Sequence, residues 1–164
     1  MSRERFEQRS VHRSRTRPAT SRIDTLASSI LIVETDGEGF VDITSDIRAF
    51  AAETRAASGL LTLFLRHTSA SLTIEENADP DVLHDLVTAL RRLAPADGGW
   101  RHFTEGPDDM PAHIKTMLTA TSLQIPVIDG ELMLGTWQAI YLIEHRARPH
   151  KREVVLQFIG EAGV

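Results

Sequence analysis

Three histidines that are far apart in the chain stand in contexts suited to chemistry. His67 ends an apolar stretch and is followed by hydroxyl side chains, His102 lies in a long polar loop, and His113 falls where a helix begins. Imidazole is the commonest metal ligand in proteins and titrates near neutral pH. If the three rings converge, they form an open three-nitrogen site for a divalent metal, Zn²⁺ or Mg²⁺. The alternative for His67 is a histidine at the edge of the core, satisfied by one hydrogen bond.

Two acidic stretches supply oxygen ligands near these histidines. Residues 75–81 read EENADPD, in which Asn77 and Asp79 can hold a cation or orient a polar substrate, and residues 105–113 read EGPDDMPAH. The second stretch brings Asp109 and His113 to the start of a helix, where free N–H groups favour a phosphate or carboxylate. The alternative for both stretches is ordinary helix capping by aspartate.

Composition excludes several classes of function. The chain has 164 residues and no cysteine, so disulfide frameworks, thiolate metal sites and cysteine nucleophiles are excluded. Residues 1–22 hold seven of the 18 basic residues, and the rest of the chain is acidic, which disfavours a nucleic-acid surface. No apolar run is long enough for a membrane span, and no secretory leader opens the chain, so we expect no membrane partner and a cytoplasmic protein.

Hydrophobic periodicity predicts the elements that must position these side chains. An Asp36-Gly37-Glu38-Gly39 turn predicts a hairpin between the first two strands, and Ser58-Gly59 is predicted to end the first helix. Asp79 followed by Pro80 is a strong signal for the start of the second helix. Strands are predicted over 23–35, 40–43, 60–67, 71–74, 123–128, 132–134, 136–146 and 153–159, and helices over 44–58, 80–93 and 111–118.

The order of these elements predicts one α+β domain with a largely antiparallel sheet. Residues 1–22 are predicted to be a flexible Arg-rich extension, and residues 23–164 the folded domain. Trp137 opens a long strand, where it either lines a pocket or packs as an ordinary buried aromatic residue.

Four motifs in order resemble the YjbQ family, whose members are often labelled secondary thiamine-phosphate synthases. The resemblance runs from about residue 23 to residue 161. Its motifs are HTSASLT at His67–Thr73, ENADPD at Glu76–Asp81, EGPDDMPAHIK at Glu105–Lys115 and GTWQ at Gly135–Gln138.

This resemblance implies a distorted antiparallel β-sandwich with a few helices, assembled as a homotrimer. It implies a metal or anion site at His67, His102 and His113, with His67, His113 and Asp109 in the catalytic role. It matches Asn77 and Asp79 to polar pocket residues of the family, and we expect Thr68, Ser69, Lys115 and Trp137 to bind the substrate with them. Glu75 and Ala139 depart from the family pattern, which has Asn and Gly at these positions in many relatives.

The activity implied is the joining of a pyrimidine diphosphate to a thiazole phosphate, so the expected partner is a small phosphorylated metabolite. Two alternatives use the same residues. The first is a metal-dependent hydrolase, and the second is a trimer that binds a small anion or metabolite without catalysis.

Overall fold

The computed structural model describes residues 13–163. Residues 1–12, the first part of the predicted extension, and Val164 lie outside the described residues, whereas residues 13–22 are exposed and belong to no helix or strand. The strands are β1 (Thr25–Thr35), β2 (Gly39–Asp42), β3 (Ala56–Leu65), β4 (Ala70–Glu76), β5 (Ser122–Ile128), β6 (Glu131–Leu132), β7 (Gln138–Glu144) and β8 (His150–Ala162), and the helices are α1 (Thr44–Glu53), α2 (Pro80–Leu93) and α3 (Asp109–Leu118).

Two antiparallel sheets share one hydrophobic core. The larger sheet has the order β1-β8-β3-β5-β6 and the smaller has the order β2-β7-β4. Leu61 and Phe158 from the larger sheet are buried against Leu72 and Leu142 from the smaller one. Successive side chains of a strand point to opposite faces of the sheet, and the apolar ones share one face. The two sheets bury these apolar faces against each other. The predicted α+β class with a mostly antiparallel sandwich is confirmed.

The first two strands are present, but the predicted hairpin between them is wrong. β1 pairs along its whole length with β8, and β2 pairs with β7 in the other sheet. The intervening turn, with Gly37 at φ +147°, therefore carries the chain from one sheet to the other. The 13-residue β8 offers β1 eleven paired positions, many more than the four-residue β2 can provide.

The first helix ends earlier than the glycine signal predicts. Arg55 adopts a left-handed conformation with φ 50°, and β3 begins directly after it. Gly59 lies inside β3 opposite Gly160 of β8, where a Cβ atom would stand 2.3 Å from the carbonyl oxygen of Ile159. This glycine therefore permits a close approach of two strands and does not end a helix.

The second and third helices cover the outer face of the smaller sheet and agree with the sequence pattern. Asp79 caps α2 by accepting a hydrogen bond of 2.9 Å from the backbone N–H of Asp81, and Pro80 occupies the first helical position. The long loop at 94–108 contains no helix or strand and leads into α3. Among the described residues, no helix is both long and apolar enough to cross a membrane.

Candidate metal centre

The first turn of α3 and the loop before it bring three possible metal ligands together. Asp109 and His113 are one helical turn apart, and their Oδ2 and Nε2 atoms are separated by 3.4 Å. Nε2 of His102 lies 2.5 Å from the same carboxylate oxygen. The ligand atoms of the three residues all lie within 4.8 Å of one another. Asp109 is buried, whereas both imidazole side chains are more than a third exposed.

A backbone contact fixes the proton on the ring of His113. Its Nδ1 lies 2.9 Å from the carbonyl oxygen of Thr68, which can only accept, so Nδ1 carries the hydrogen. In the neutral ring, Nε2 then presents a lone pair toward the carboxylate oxygen of Asp109. Two acceptors at 3.4 Å repel unless a proton or a cation lies between them. A hydrogen bond from a ligand histidine to a backbone carbonyl is also the usual support of a metal site.

The donor set therefore fits a divalent cation. Nε2 of His102 now donates a hydrogen bond to the carboxylate of Asp109, and a cation would replace that hydrogen while the ring proton moves to Nδ1. Two imidazole nitrogens and one carboxylate oxygen are the protein ligands of many catalytic zinc sites, with further positions left for substrate or water. The partial exposure of both rings leaves this cluster accessible from solvent.

His67 lies outside this group. Its Nε2 accepts a hydrogen bond of 2.9 Å from the backbone N–H of Glu153, on β8. Burial, together with the positive charge of Arg152, lowers the pKa of His67 below its ordinary value. Among the described residues, the group brought within ligand distance is His102, Asp109 and His113, and His67 is not part of it, so a metal site at His67, His102 and His113 stays a prediction. A catalytic role for His67 stays a prediction.

The carboxylate of Asp109 is bound by Arg146, a residue that the sequence pattern did not indicate. Nη1 of Arg146 donates to its Oδ1, while Nε of Arg146 lies 3.1 Å from Oδ2 of Asp108 and Nη2 lies 2.7 Å from the carbonyl oxygen of Glu105. Arg146 follows β7, so this contact depends on tertiary folding across 37 residues of chain. An arginine at the end of a largely apolar strand is the sequence signal that could have suggested an ionic role.

A second ionic cluster lies deeper in the fold. Nε and Nη2 of Arg152 donate to the two carboxylate oxygens of Glu144 at 2.7 and 2.5 Å, and the hydroxyl of Thr35 donates to Oε2 at 2.8 Å. Burial alone would raise the pKa of Glu144, but these bonds and one from the Arg146 N–H hold it below its ordinary value. The sequence reading did not predict this cluster, because it joins β1, β7 and β8.

The neighbouring histidine of the same strand end is also buried. Nε2 of His145 lies 2.9 Å from the hydroxyl oxygen of Ser71. Burial, and to a lesser extent the charge of Lys115, lowers the pKa of His145 to about 4. His145 is therefore a neutral packing residue at physiological pH.

The predicted substrate residues fall into two groups. Thr68 and Ser69 lie between the two clusters. The carbonyl oxygen of Thr68 contacts His113 of the candidate metal centre, and that of Ser69 contacts Arg152 of the buried ionic cluster. Asn77, Asp79 and Trp137 are exposed and lie beyond the far end of β4, which spans seven residues or about 20 Å. A single subunit does not bring the two groups together, and their binding roles stay predictions.

Lys115 is on α3 but faces inward. Its ammonium donates to Oε1 of Glu38, whose other oxygen accepts from Nε of Arg91 at 2.6 Å. The Lys115 side chain is only 5% exposed, so its predicted contact with substrate would require this ion pair to open.

The two departures from the family pattern are directly opposite each other. Glu75 on β4 pairs with Ala139 on β7. Glu75 lines a small, mainly apolar cavity of about 90 Å³ beneath Leu86 and Leu90 of α2. Glu75 therefore shapes the space under α2, whose lining includes none of His102, Asp109 and His113.

Comparisons with known proteins match most of the chain. The family model described as UPF0047 protein YjbQ-like matches residues 28–161. A UPF0047 protein of Synechocystis is 53% identical over 80% of this chain and 90% of its own length, and the UPF0047 protein YjbQ of Escherichia coli is 43% identical over 80% and 96%.

Solved structures extend the likeness to the fold. A YjbQ/UPF0047 family structure from Clostridium acetobutylicum matches with a TM-score of 0.75 and 37% identity, over 80% of this chain and 99% of that one. A structure from Aeropyrum pernix matches with a TM-score of 0.77 and 29% identity, over 82% and 99%. With the family model covering most of the chain and relatives above 40% identity, this protein belongs to the YjbQ-like UPF0047 family.

Proposed function

We propose that this protein is a metal-dependent enzyme that acts on a small phosphorylated metabolite. The observation that carries the proposal is the convergence of His102, Asp109 and His113, whose ligand atoms lie within 4.8 Å of one another. A divalent cation bound there would supply a Lewis acid that polarises a phosphate oxygen and stabilises a departing diphosphate. The open side of the cluster gives a substrate room to approach.

The residues of the chain have separate tasks in this proposal. Asp109 would hold the cation through its carboxylate, of which Oδ1 is bound by Arg146 and Oδ2 faces the two imidazole rings. The carbonyl of Thr68 fixes the ring of His113, so that Nε2 is aimed at the site without a rotation of the side chain. His67 and the hydroxyl groups of Thr68 and Ser69 lie on the adjoining segment, where we propose that they bind the substrate phosphate.

The reaction that we propose is the formation of thiamine phosphate. A bond forms between the pyrimidine methylene carbon and the thiazole nitrogen, the bond from that carbon to the diphosphate oxygen breaks, and pyrophosphate leaves. Support comes from the four YjbQ-like motifs and from a site suited to a diphosphate leaving group.

The test measures thiamine phosphate formed from the two phosphorylated precursors, with Zn²⁺ or Mg²⁺ added to metal-free protein. His113→Ala is compared with wild type and with His84→Ala, which removes an exposed histidine of α2 and serves as the matched control. We expect activity in wild type and in His84→Ala, and its loss in folded His113→Ala. Equal rates in all three proteins would refute this proposal.

A second candidate is a metal-dependent hydrolase. The observation that favours it is the small number of protein ligands, because sites with two histidines and one carboxylate commonly serve hydrolysis. Turnover of a phosphoester without a second substrate, lost in His113→Ala, would select this reaction. Stabilisation by a phosphorylated metabolite with no turnover of any substrate would instead select a binding protein.

We also propose that the protein assembles as a homotrimer through the outer face of the larger sheet. Leu26, Ile30 and Ile32 on β1, and Phe64 on β3, are large apolar residues that remain between 49% and 67% exposed on that face. An exposed apolar surface of this kind usually marks an interface. Light scattering is expected to give about three times the chain mass of 18.2 kDa, and Ile32→Glu is expected to yield monomers. A wild-type mass of one chain would contradict the assembly.

A further inference from the structure

The guanidinium group of Arg146 is enclosed by the loop that carries the metal ligand Asp109. Each of its three nitrogens has its own oxygen acceptor in residues 105–109: the Glu105 carbonyl, a carboxylate oxygen of Asp108 and Oδ1 of Asp109. The side chain is 11% exposed, so water competes little for these donors. Three of the five N–H donors of Arg146 are therefore engaged by this segment, one on each nitrogen of the guanidinium.

The backbone of Arg146 is fixed as firmly as its side chain. Its N–H donates to Oε1 of Glu144 at 2.9 Å, and the next N–H, of Ala147, donates to Oδ2 of Asp108 at 2.8 Å. Glu144 is held in turn by the buried guanidinium of Arg152. A continuous set of charge-assisted bonds thus joins the end of β7 to the start of α3.

This arrangement restricts what Asp109 can offer to a cation. Because Oδ1 is bound by Arg146, the carboxylate presents Oδ2 alone, the atom that faces both imidazole rings. Mg²⁺ and Mn²⁺ prefer several oxygen ligands, whereas Zn²⁺ accepts two nitrogens and one oxygen in a four-coordinate site. A carboxylate freed from Arg146 can rotate and provide both oxygens.

We propose that Arg146 is a positioning residue that makes this centre selective for Zn²⁺ over oxygen-preferring cations. The inference rests on the metal centre proposed above and adds to it the preferred metal and the residue responsible. This positioning role of Arg146 can be distinguished from two simpler roles, repulsion of cations and support of the fold. If Arg146 merely repelled cations, its removal would strengthen the binding of every cation. If it merely supported the fold, its removal would weaken the binding of every cation together.

The experiment measures Zn²⁺ and Mn²⁺ dissociation constants by competition with a chromogenic chelator, using metal-free wild type, Arg146→Gln and Arg146→Lys. Arg148→Gln is the matched control, because Arg148 is an exposed arginine in the same connection between β7 and β8. Far-UV circular dichroism checks that each variant is folded. Arg146→Lys retains the charge but lacks the planar fork, so it separates geometry from charge.

We expect both Arg146 variants to bind Zn²⁺ about 10- to 100-fold more weakly, the range typical for loss of a residue that orients a ligand. Mn²⁺ binding should stay the same or strengthen, so the preference for Zn²⁺ falls at least tenfold. Co²⁺ bound to wild type should show the intense visible absorption of a four-coordinate site, and that absorption should weaken in both variants. Arg148→Gln should match wild type throughout.

Several results would overturn the inference. An unchanged ratio of Zn²⁺ to Mn²⁺ affinity in both variants removes the selective role, whether both affinities fall, rise or stay constant. If the ratio of Zn²⁺ to Mn²⁺ affinity is normal in Arg146→Lys but altered in Arg146→Gln, the effect comes from the charge alone. That result also contradicts the positioning role of Arg146. If wild type binds neither cation, the metal centre itself fails, which is a different outcome from a centre that binds Zn²⁺ without help from Arg146.

Discussion

Two polar clusters lie close together, each around one buried carboxylate, and they differ in the exposure of their side chains and in the pairing of one ring nitrogen. In the cluster of Glu144, Arg152 and Thr35, every carboxylate oxygen accepts hydrogen bonds and all three side chains are buried. In the cluster of His102, Asp109 and His113, a ring nitrogen faces a carboxylate oxygen at 3.4 Å, and two side chains reach solvent. Complete pairing in a buried site is typical of a structural cluster, whereas an accessible cluster in which one ring nitrogen, Nε2 of His113, has no hydrogen bond is typical of a ligand site.

The largest effect should come from breaking the buried cluster. Arg152→Met leaves the Glu144 carboxylate without its main partner in the interior, and removal of one partner of such a pair costs about 3 to 5 kcal/mol of unfolding free energy. Urea unfolding at neutral pH measures this loss. His113→Ala, in the accessible cluster, should change the unfolding free energy by less than about 1 kcal/mol in the absence of metal. Equal losses in the two variants would remove the distinction between the clusters.

Acid should destabilise the protein through a buried histidine next to the structural cluster. The ordinary pKa of histidine is near 6.5, and that of His145 in the folded chain is about 4. Between these values the unfolded chain binds the proton and the folded chain does not, so stability falls as the pH drops from 6.5 to 4. The loss from this residue is about 3 kcal/mol, and the lowered pKa of His67 acts in the same direction.

Chemical unfolding at a series of pH values tests this prediction. His145→Gln removes the titrating ring, so the unfolding free energy of this variant should depend less on pH between 6.5 and 4.5. The comparison uses the slope against pH, so a constant loss of stability in the variant does not affect it. A slope identical to that of wild type would show that His145 does not titrate as its burial requires.

Zinc should stabilise the accessible cluster by an amount set by its concentration. At free Zn²⁺ one hundred times the dissociation constant, a single site adds about 2.7 kcal/mol to the unfolding free energy. The measurement is the shift in Tm on addition of Zn²⁺ to metal-free protein. Asp109→Asn should show almost no shift, whereas Arg152→Met, if folded, should retain it. A full shift in Asp109→Asn would exclude this carboxylate as a ligand.

The smallest effect concerns a residue at the far end of β4 from both clusters. Asp79→Ala removes the side-chain cap of α2 and should cost about 1 kcal/mol, with Zn²⁺ affinity unchanged. Denaturant unfolding and chelator competition measure the two quantities on the same variant. A loss of Zn²⁺ affinity in this variant would link Asp79 to the metal centre.

The parts of the structure that were predictable are those determined by neighbours in sequence. The cap at Asp79 defines the start of α2, and the pair of Asp109 and His113 follows from one turn of helix. The ion pair between Arg146 and Asp109 was not predicted, because Arg146 follows a strand that lies 37 residues away from Asp109 in the chain. The predicted hairpin of β1 and β2 is wrong for the same reason, because β1 pairs with β8, a strand near the other end of the chain.

That pairing of β1 with β8 also bears on the order of events during synthesis. β8 separates β1 from β3 in the larger sheet, so the sheet cannot close before residues 150–162 have left the ribosome. Until then, β1 and β3 each present unpaired backbone edges together with exposed apolar side chains such as Ile32 and Phe64. A nascent chain that stalls before β8 therefore exposes the unpaired edges of β1 and β3 and is prone to aggregate. Synthesis of β8 pairs both edges and completes the larger sheet.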